Sequence, residues 1–141
     1  QRRRPSENAG RVVCDASAIV TVLLDAGRSG AWLAGRLGSA ELCAPALLPF
    51  ECANIFRRHE RAGLISGDQA AQAHADMLDL PMDLFSYEAV AQAVWPLRHN
   101  LTSYDAAYVA LAELLDAPLI TVDRRLARSP QIRCAVELPP G

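Results

Sequence analysis

Short apolar runs alternate with longer stretches in which apolar residues recur every three or four positions, so the chain predicts strands and helices in turn. The first strand is Arg11-Val12-Val13-Cys14-Asp15, a β-type run closed by a carboxylate. Ser17 is then expected to cap a helix with Ile19, Val20, Leu23 and Leu24 on its apolar face. Gly27 to Gly30 punctuates it, and a second short helix carries Trp32, Leu33 and Leu37. Glu41-Leu42-Cys43-Ala44 reads as a brief strand stopped by Pro45. Residues 47–62 read as a helix with Leu48, Cys52, Ile55 and Phe56 on one face and Arg57, Arg58 and Arg61 on another.

Ser66 or Gly67 opens a further helix that runs to about Met77. Leu80 to Phe85 reads as a strand broken by Pro81, and Ser86 caps a helix reaching His99 that Pro96 kinks or interrupts. The clearest helix start is Thr102-Ser103-Tyr104-Asp105, with residue 105 at the capping-box position and apolar residues continuing to Leu115. Pro118 to Asp123 is a buried-strand run, again ending in Asp, and Cys134-Ala135-Val136-Glu137 is a last strand. The strands are continuous apolar runs, which belongs to a sheet covered on both faces. With helices between them, they predict an α/β fold, a three-layer α/β/α sandwich around a mostly parallel central sheet. Residues 1–10 read as a flexible polar lead and 11–141 as one domain.

Composition narrows the function classes. In 141 residues, 51% hydrophobic content supports a packed core, and no uncharged apolar stretch is long enough to cross a bilayer. No membrane role is expected, and the absence of an apolar leader in the first ten residues points to the cytoplasm. The net charge is −2, and three of the 14 basic residues lie in residues 1–10, so a broad basic nucleic-acid surface is excluded. Every basic residue is Arg and none is Lys, which removes Schiff-base and P-loop lysine chemistry but leaves forks suited to phosphate. Cys14, Cys43, Cys52 and Cys134 form no Cys-x-x-Cys pair and are expected to be buried free thiols.

The candidate chemistry lies in the acids. Asp15 and Asp123 close two strand runs, and ligands of open parallel sheets gather at the carboxyl ends of strands. Asp105 opens a helix, and Glu51 stands in the otherwise apolar Pro49-Phe50-Glu51-Cys52-Ala53. Carboxylates brought together repel, and a hard divalent cation relieves that repulsion. Oxygen ligands favour Mg²⁺ or Mn²⁺, a combination suited to phosphodiester hydrolysis. Arg57, Arg58 and Arg61, or Arg124, Arg125 and Arg128, could hold flanking phosphates. Each acid alone has a structural alternative: Asp15 and Asp105 as helix-terminal groups, Asp123 as an Asx-turn, Glu51 in solvent. Tyr87, Tyr104, Tyr108 and the two Trp are read as packing groups, and the Arg-rich helix face as solvated surface. His59, His74 and His99 lack metal-ligand spacing.

Four segments resemble the motifs of PIN domains. These are Asp15-Ala16-Ser17-Ala18, Pro49-Phe50-Glu51-Cys52-Ala53-Asn54, the stretch Leu101-Thr102-Ser103-Tyr104-Asp105-Ala106-Ala107-Tyr108-Val109-Ala110-Leu111-Ala112, and Thr121-Val122-Asp123-Arg124-Arg125-Leu126. Their order, and the length of the chain, resemble VapC toxins of toxin–antitoxin pairs, over residues 11–137. The resemblance implies a Mg²⁺- or Mn²⁺-dependent endoribonuclease acting as a toxin. Asp15, Glu51, Asp105 and Asp123 would form its acidic site, with Asp15 and Asp105 the chief metal ligands. Ser17, Asn54 and Thr121 would support them. It also implies a homodimer, an RNA substrate and a VapB-type antitoxin partner. The alternatives are an inactive PIN-like interaction module, against which the four intact acids speak, and a phospho-accepting domain. The latter is disfavoured because Ser17 stands where a phosphatase would carry its second Asp.

Overall fold

The structure, a computed structural model, describes residues 10–141. The expected lead falls almost wholly in residues 1–9, outside that range. Gly10 is already part of the fold, its carbonyl oxygen accepting a bond from Glu41 N at 2.6 Å.

Five strands form one sheet: β1 (Arg11–Cys14), β2 (Glu41–Pro45), β3 (Met82–Phe85), β4 (Leu119–Ile120) and β5 (Val136–Glu137). Their order is β3-β2-β1-β4-β5, and every pairing is parallel. The chain therefore starts at the centre, moves outward through β2 and β3, and returns past β1 to lay down β4 and β5. Seven α-helices join the strands among the described residues. These are α1 (Ala16–Leu24), α2 (Arg28–Leu37), α3 (Leu48–Arg61), α4 (Gly67–Asp79), α5 (Tyr87–Val94), α6 (Ser103–Leu115) and the single turn α7 (Arg124–Ala127). Right-handed crossovers put the outward-going helices α1 to α4 on one face and the returning helices α5 to α7 on the other. The result is the three-layer α/β/α sandwich expected from the run pattern.

The burial explains why the central strands are apolar throughout. Val12, Val13, Cys14, Leu119 and Ile120 have no exposed surface because helices cover both sides of β1 and β4. Helix α6 lies across β1, β2 and β4, and its seven residues from Ala106 to Ala112 are all buried. Four of those seven are Ala, small enough for the helix to lie close on the sheet.

Several expectations need correction. Asp15, not Ser17, caps α1: its carboxylate accepts from Ala18 N at 3.0 Å, and Ser17 lies inside the first turn. Both residue types cap well, and the end of β1 decides which one takes the position. β2 runs through Pro45 instead of stopping before it. The run at Leu80 to Phe85 begins its strand only after Pro81, and β3 is an edge strand with Asp83 and Leu84 exposed. The helix from Ser86 ends at Val94 and tightens into a 3₁₀ turn, Trp95–Leu97, where Pro96 lies. β4 and β5 are two residues each, although ladder-type bonds extend them: Val13 N donates to the Pro118 carbonyl and Thr121 N to the Glu137 carbonyl. Cys14, Cys43 and Cys52 are buried free thiols as expected, while Cys134 is only half-buried.

Candidate functional site

The point where the chain reverses its order of strand addition lies between β1 and β4, and a crevice opens beyond their carboxyl ends. A cavity of about 380 Å³ there is lined by Asp15, Ser17, Glu51, Asn54, Asp105 and Asp123, together with Ala16, Ile55, Arg58 and Tyr108. All four candidate acids, from four separated stretches of sequence, reach this one cavity. Thr121 is fully buried directly behind Asp15.

Asp15 is the floor of the site. It leaves β1, caps α1 and keeps only 7% of its surface exposed. Ser17 Oγ donates to its Oδ1 at 2.7 Å, Ala18 N donates to the same oxygen, and Thr121 Oγ1 donates to Oδ2. The two hydroxyls are themselves held from behind. Val122 N donates to Ser17 Oγ at 3.3 Å and Asp123 N to Thr121 Oγ1 at 3.0 Å. Backbone amides after β4 thus aim two O–H groups at a carboxylate after β1. Three donors occupy three of a carboxylate's roughly four acceptor positions, two on Oδ1 and one on Oδ2, which leaves one open on Oδ2. Burial pushes the Asp15 pKa up. The three bonds oppose the shift without cancelling it, and the nearby charge of Asp123 adds to it.

Helix α3 supplies the opposite wall. At 100° per residue, Asn54, Arg58 and Glu51 share one face of it, and all three line the cavity. Tyr108 Oη donates to Glu51 Oε1 at 2.6 Å, so Oε2 is left for the cavity. Burial raises the Glu51 pKa, the Tyr108 bond opposes this, and Asp105 and Asp15 add to the rise. The Tyr108 phenol is driven far above its ordinary range by burial and by the same carboxylate, so it stays a donor.

Asp105 occupies the third position of α6. Its own N–H bonds Thr102 Oγ1 at 3.2 Å, while its side chain makes no reciprocal cap bond and lines the cavity instead. Burial raises its pKa first, then Asp123, with Arg125 opposing. Asp123 caps α7, accepting from Arg125 N at 2.9 Å and Leu126 N at 3.4 Å, and pairs with the Arg125 guanidinium at 3.4 Å.

One polar cavity residue, Tyr108, escaped the sequence reading, and one of the candidate arginines is singled out. Tyr108 was expected only to pack, yet its hydroxyl holds Glu51; the signal was its position three after Asp105, on the same side of α6. Arg58 separates from its neighbours: it lines the cavity, whereas Arg57 and Arg61 do not. Arg124 is turned away, donating to the Pro139 carbonyl at 3.1 Å. Tyr87, Tyr104 and Trp95, also expected to pack, are exposed, with Arg98 lying 4.5 Å over the Trp95 ring.

The donor set is all oxygen, three of its carboxyl groups carry raised pKa values, and like charges dominate; this chemistry fits a hard divalent cation. Among the described residues no three His, Cys, Asp or Glu side chains stand close enough to enclose an ion directly.

Comparison with known proteins places the chain among relatives of the same architecture. A model of the PIN domain matches residues 12–131. Ribonuclease VapC1 of Mycobacterium tuberculosis is 39% identical over 127 residues, spanning 89% of this chain and 96% of that protein. Among solved structures, VapBC2 from Rickettsia felis, bound to a DNA fragment from their promoter, superposes with a TM-score of 0.63 at 11% identity. It covers 92% of this chain and 99% of that one. VapC20 of Mycobacterium tuberculosis, described as a Sarcin-Ricin loop cleaving toxin, gives a TM-score of 0.61 at 14% identity over 82% of this chain and 92% of that one.

Proposed function

The chain belongs to the PIN-domain family, alongside relatives named VapC ribonucleases, and from that premise we propose that it is a Mg²⁺- or Mn²⁺-dependent endoribonuclease acting as the toxin of a toxin–antitoxin pair. The single observation that carries the proposal is the meeting of Asp15, Glu51, Asp105 and Asp123 around one cavity at the switch point of the sheet.

In this reading Asp15 and Asp105 hold the cation, Asp15 through the acceptor position its three donors leave open. The cation, when bound, supplies polarisation of the phosphate and offsets the charge that develops on its oxygens. The protein's own groups do the rest. Ser17 and Thr121 keep the Asp15 carboxylate in one orientation through their paired hydroxyl bonds. Glu51, anchored through Oε1 by Tyr108, receives at Oε2 the proton of the attacking water as the new P–O bond forms and the bond to the leaving oxygen breaks, and the leaving oxygen takes its proton from solvent. Asn54 faces the phosphate from α3, and the Arg58 guanidinium grips a flanking phosphate with a planar fork. Asp123 adds negative charge on the α7 side, drawing the cation into the cavity.

The pairing of VapB with VapC in the Rickettsia felis structure supports a VapB-type antitoxin as partner, and the same reading includes a homodimer. No helix among the described residues is long and apolar enough to cross a membrane.

The test incubates purified protein with total RNA in Mg²⁺ buffer or in chelator. Wild type is expected to cut only with the metal, Asp15→Asn to be inactive, and Glu51→Gln to be slowed by roughly a hundredfold or more. Equal cleavage by Asp15→Asn, or cleavage that persists in chelator, would exclude the acidic cavity as the site.

A further inference from the structure

Beside the acidic cavity lies a second hollow of about 480 Å³, lined by Leu47, Phe50, Glu51, Asn54 and Tyr104. It shares Glu51 and Asn54 with the acidic cavity, so the two are continuous along α3. Phe50 is 74% exposed and Tyr104 is 64% exposed, although the core has room for other aromatic rings such as Phe56 and Tyr108. Most of the surface of each ring therefore stays outside the core. Both stand immediately outside a carboxylate of the acidic cavity: Phe50 precedes Glu51, and Tyr104 precedes Asp105.

The geometry of α3 makes the arrangement linear. Taking 100° per residue, Phe50, Asn54, Arg58 and Glu51 fall within a single sector of the helix surface about 100° wide. Eight residues separate Phe50 from Arg58, or about 12 Å of rise. The aromatic hollow, with Glu51 beside it, therefore occupies one end of the face, Asn54 the middle, and the Arg58 guanidinium the other end.

We propose that Phe50 and Tyr104 form a stacking subsite for an unpaired base of the RNA strand, next to the bond cut in the acidic cavity. The inference rests on the ribonuclease reading and adds to it a determinant of which nucleotides can occupy the cleft. Aromatic rings offer a face to any base, so they bind strand without reading much sequence. A base inside a duplex has both faces covered by its neighbours, so the subsite selects a nucleotide free to splay out. The polar wall suits a base better than a protein surface. The Asn54 amide, shared by the two hollows, carries both a donor and an acceptor for a base edge, whereas a dry apolar contact would strip it and the neighbouring Glu51 carboxylate of water without return. Arg58 then takes a phosphate on the far side, so the strand is held at both ends of the α3 face.

Binding of a fluorescein-labelled, mixed-sequence single-stranded oligoribonucleotide, followed by anisotropy in Mg²⁺ buffer, tests this. The parent is the Asp15→Asn protein, which leaves the probe uncut. Adding Phe50→Ala or Tyr104→Ala is expected to weaken binding by about tenfold. Phe50→Tyr and Tyr104→Phe, which keep the rings, are expected to bind like the parent. The probe annealed to its complement is expected to bind all of these proteins alike. Unchanged affinity of the two Ala proteins for the single strand would overturn the proposal. So would a loss of affinity that accompanies a change of oligomeric state in size-exclusion chromatography, because the rings would then be holding a second copy of the chain. Ring-dependent binding by a protein whose wild type cuts no RNA would retire the nuclease reading and leave the subsite standing.

Discussion

At the scale of single residues, the site depends on hydroxyl groups that position carboxylates. Ser17, Thr121 and Tyr108 each donate to an acid, and each is held in turn by backbone amides or by packing. Tyr108→Phe removes one hydrogen bond and leaves the ring, which is 2% exposed, in place. The expected stability cost is about 1 kcal/mol by urea unfolding. The functional effect is more specific. The Tyr108 bond opposes the rise in the Glu51 pKa, so its removal lets that pKa climb. The acid limb of the pH–rate profile should then move to higher pH. A profile that keeps its shape while the rate falls would mean that Tyr108 does not act through Glu51. The phenol illustrates what a linear reading misses: within Ala106 to Ala112 a packed ring and a ring with a working hydroxyl fit the pattern equally well.

At the scale of elements, close approach and capping decide where each helix lies. Gly30 sits in α2 against the end of α1, where a Cβ would lie 1.8 Å from the Asp25 carbonyl oxygen. Gly30→Ala should therefore force α1 and α2 apart and cost about 1–3 kcal/mol. Gly35, on the exposed side of the same helix, has nothing within 4 Å of where a methyl group would stand, and Gly35→Ala should stabilise by about 0.5–1 kcal/mol. Urea unfolding of the pair checks both, and equal shifts of the same sign would contradict the assignment of α2. Capping carries over to function. Asp15 and Asp123 are both helix caps and cavity residues, so the backbone that starts α1 and α7 also aims the acids. The simple structural reading of these acids holds, and capping still leaves both on the wall of the cavity. Asp105 differs: Thr102 alone does the capping, which leaves its carboxylate for the cavity.

At the scale of the whole molecule, the sheet order gathers negative charge at one place. Asp15, Glu51 and Asp105 all have raised pKa values, with burial the leading cause. Between the ordinary carboxylate range of about 4 and those raised values, the native state binds more protons than the unfolded chain, so stability from these groups falls as pH rises. In chelator, Asp15→Asn should be more stable than wild type at neutral pH, and the gap in Tm should shrink on acidification through that window. Added Mg²⁺ should stabilise wild type more than the variant at neutral pH. A gap independent of pH would show that Asp15 is not the strained charge.

The run pattern was sufficient for the class of fold. Apolar strands of β1 and β4 type, amphipathic helices between them, and acids at strand ends and helix starts were all legible, because periodicity and capping chemistry act within a few residues. The order β3-β2-β1-β4-β5 was not, nor was the shortness of β4 and β5, because pairing partners far along the chain set both. Thr121 and Asp15, bonded across 106 positions, make the same point. Local sequence settled which residues could carry the chemistry. Only the packed sheet, by putting β1 beside β4 and turning α3 and α6 toward their ends, made those residues neighbours.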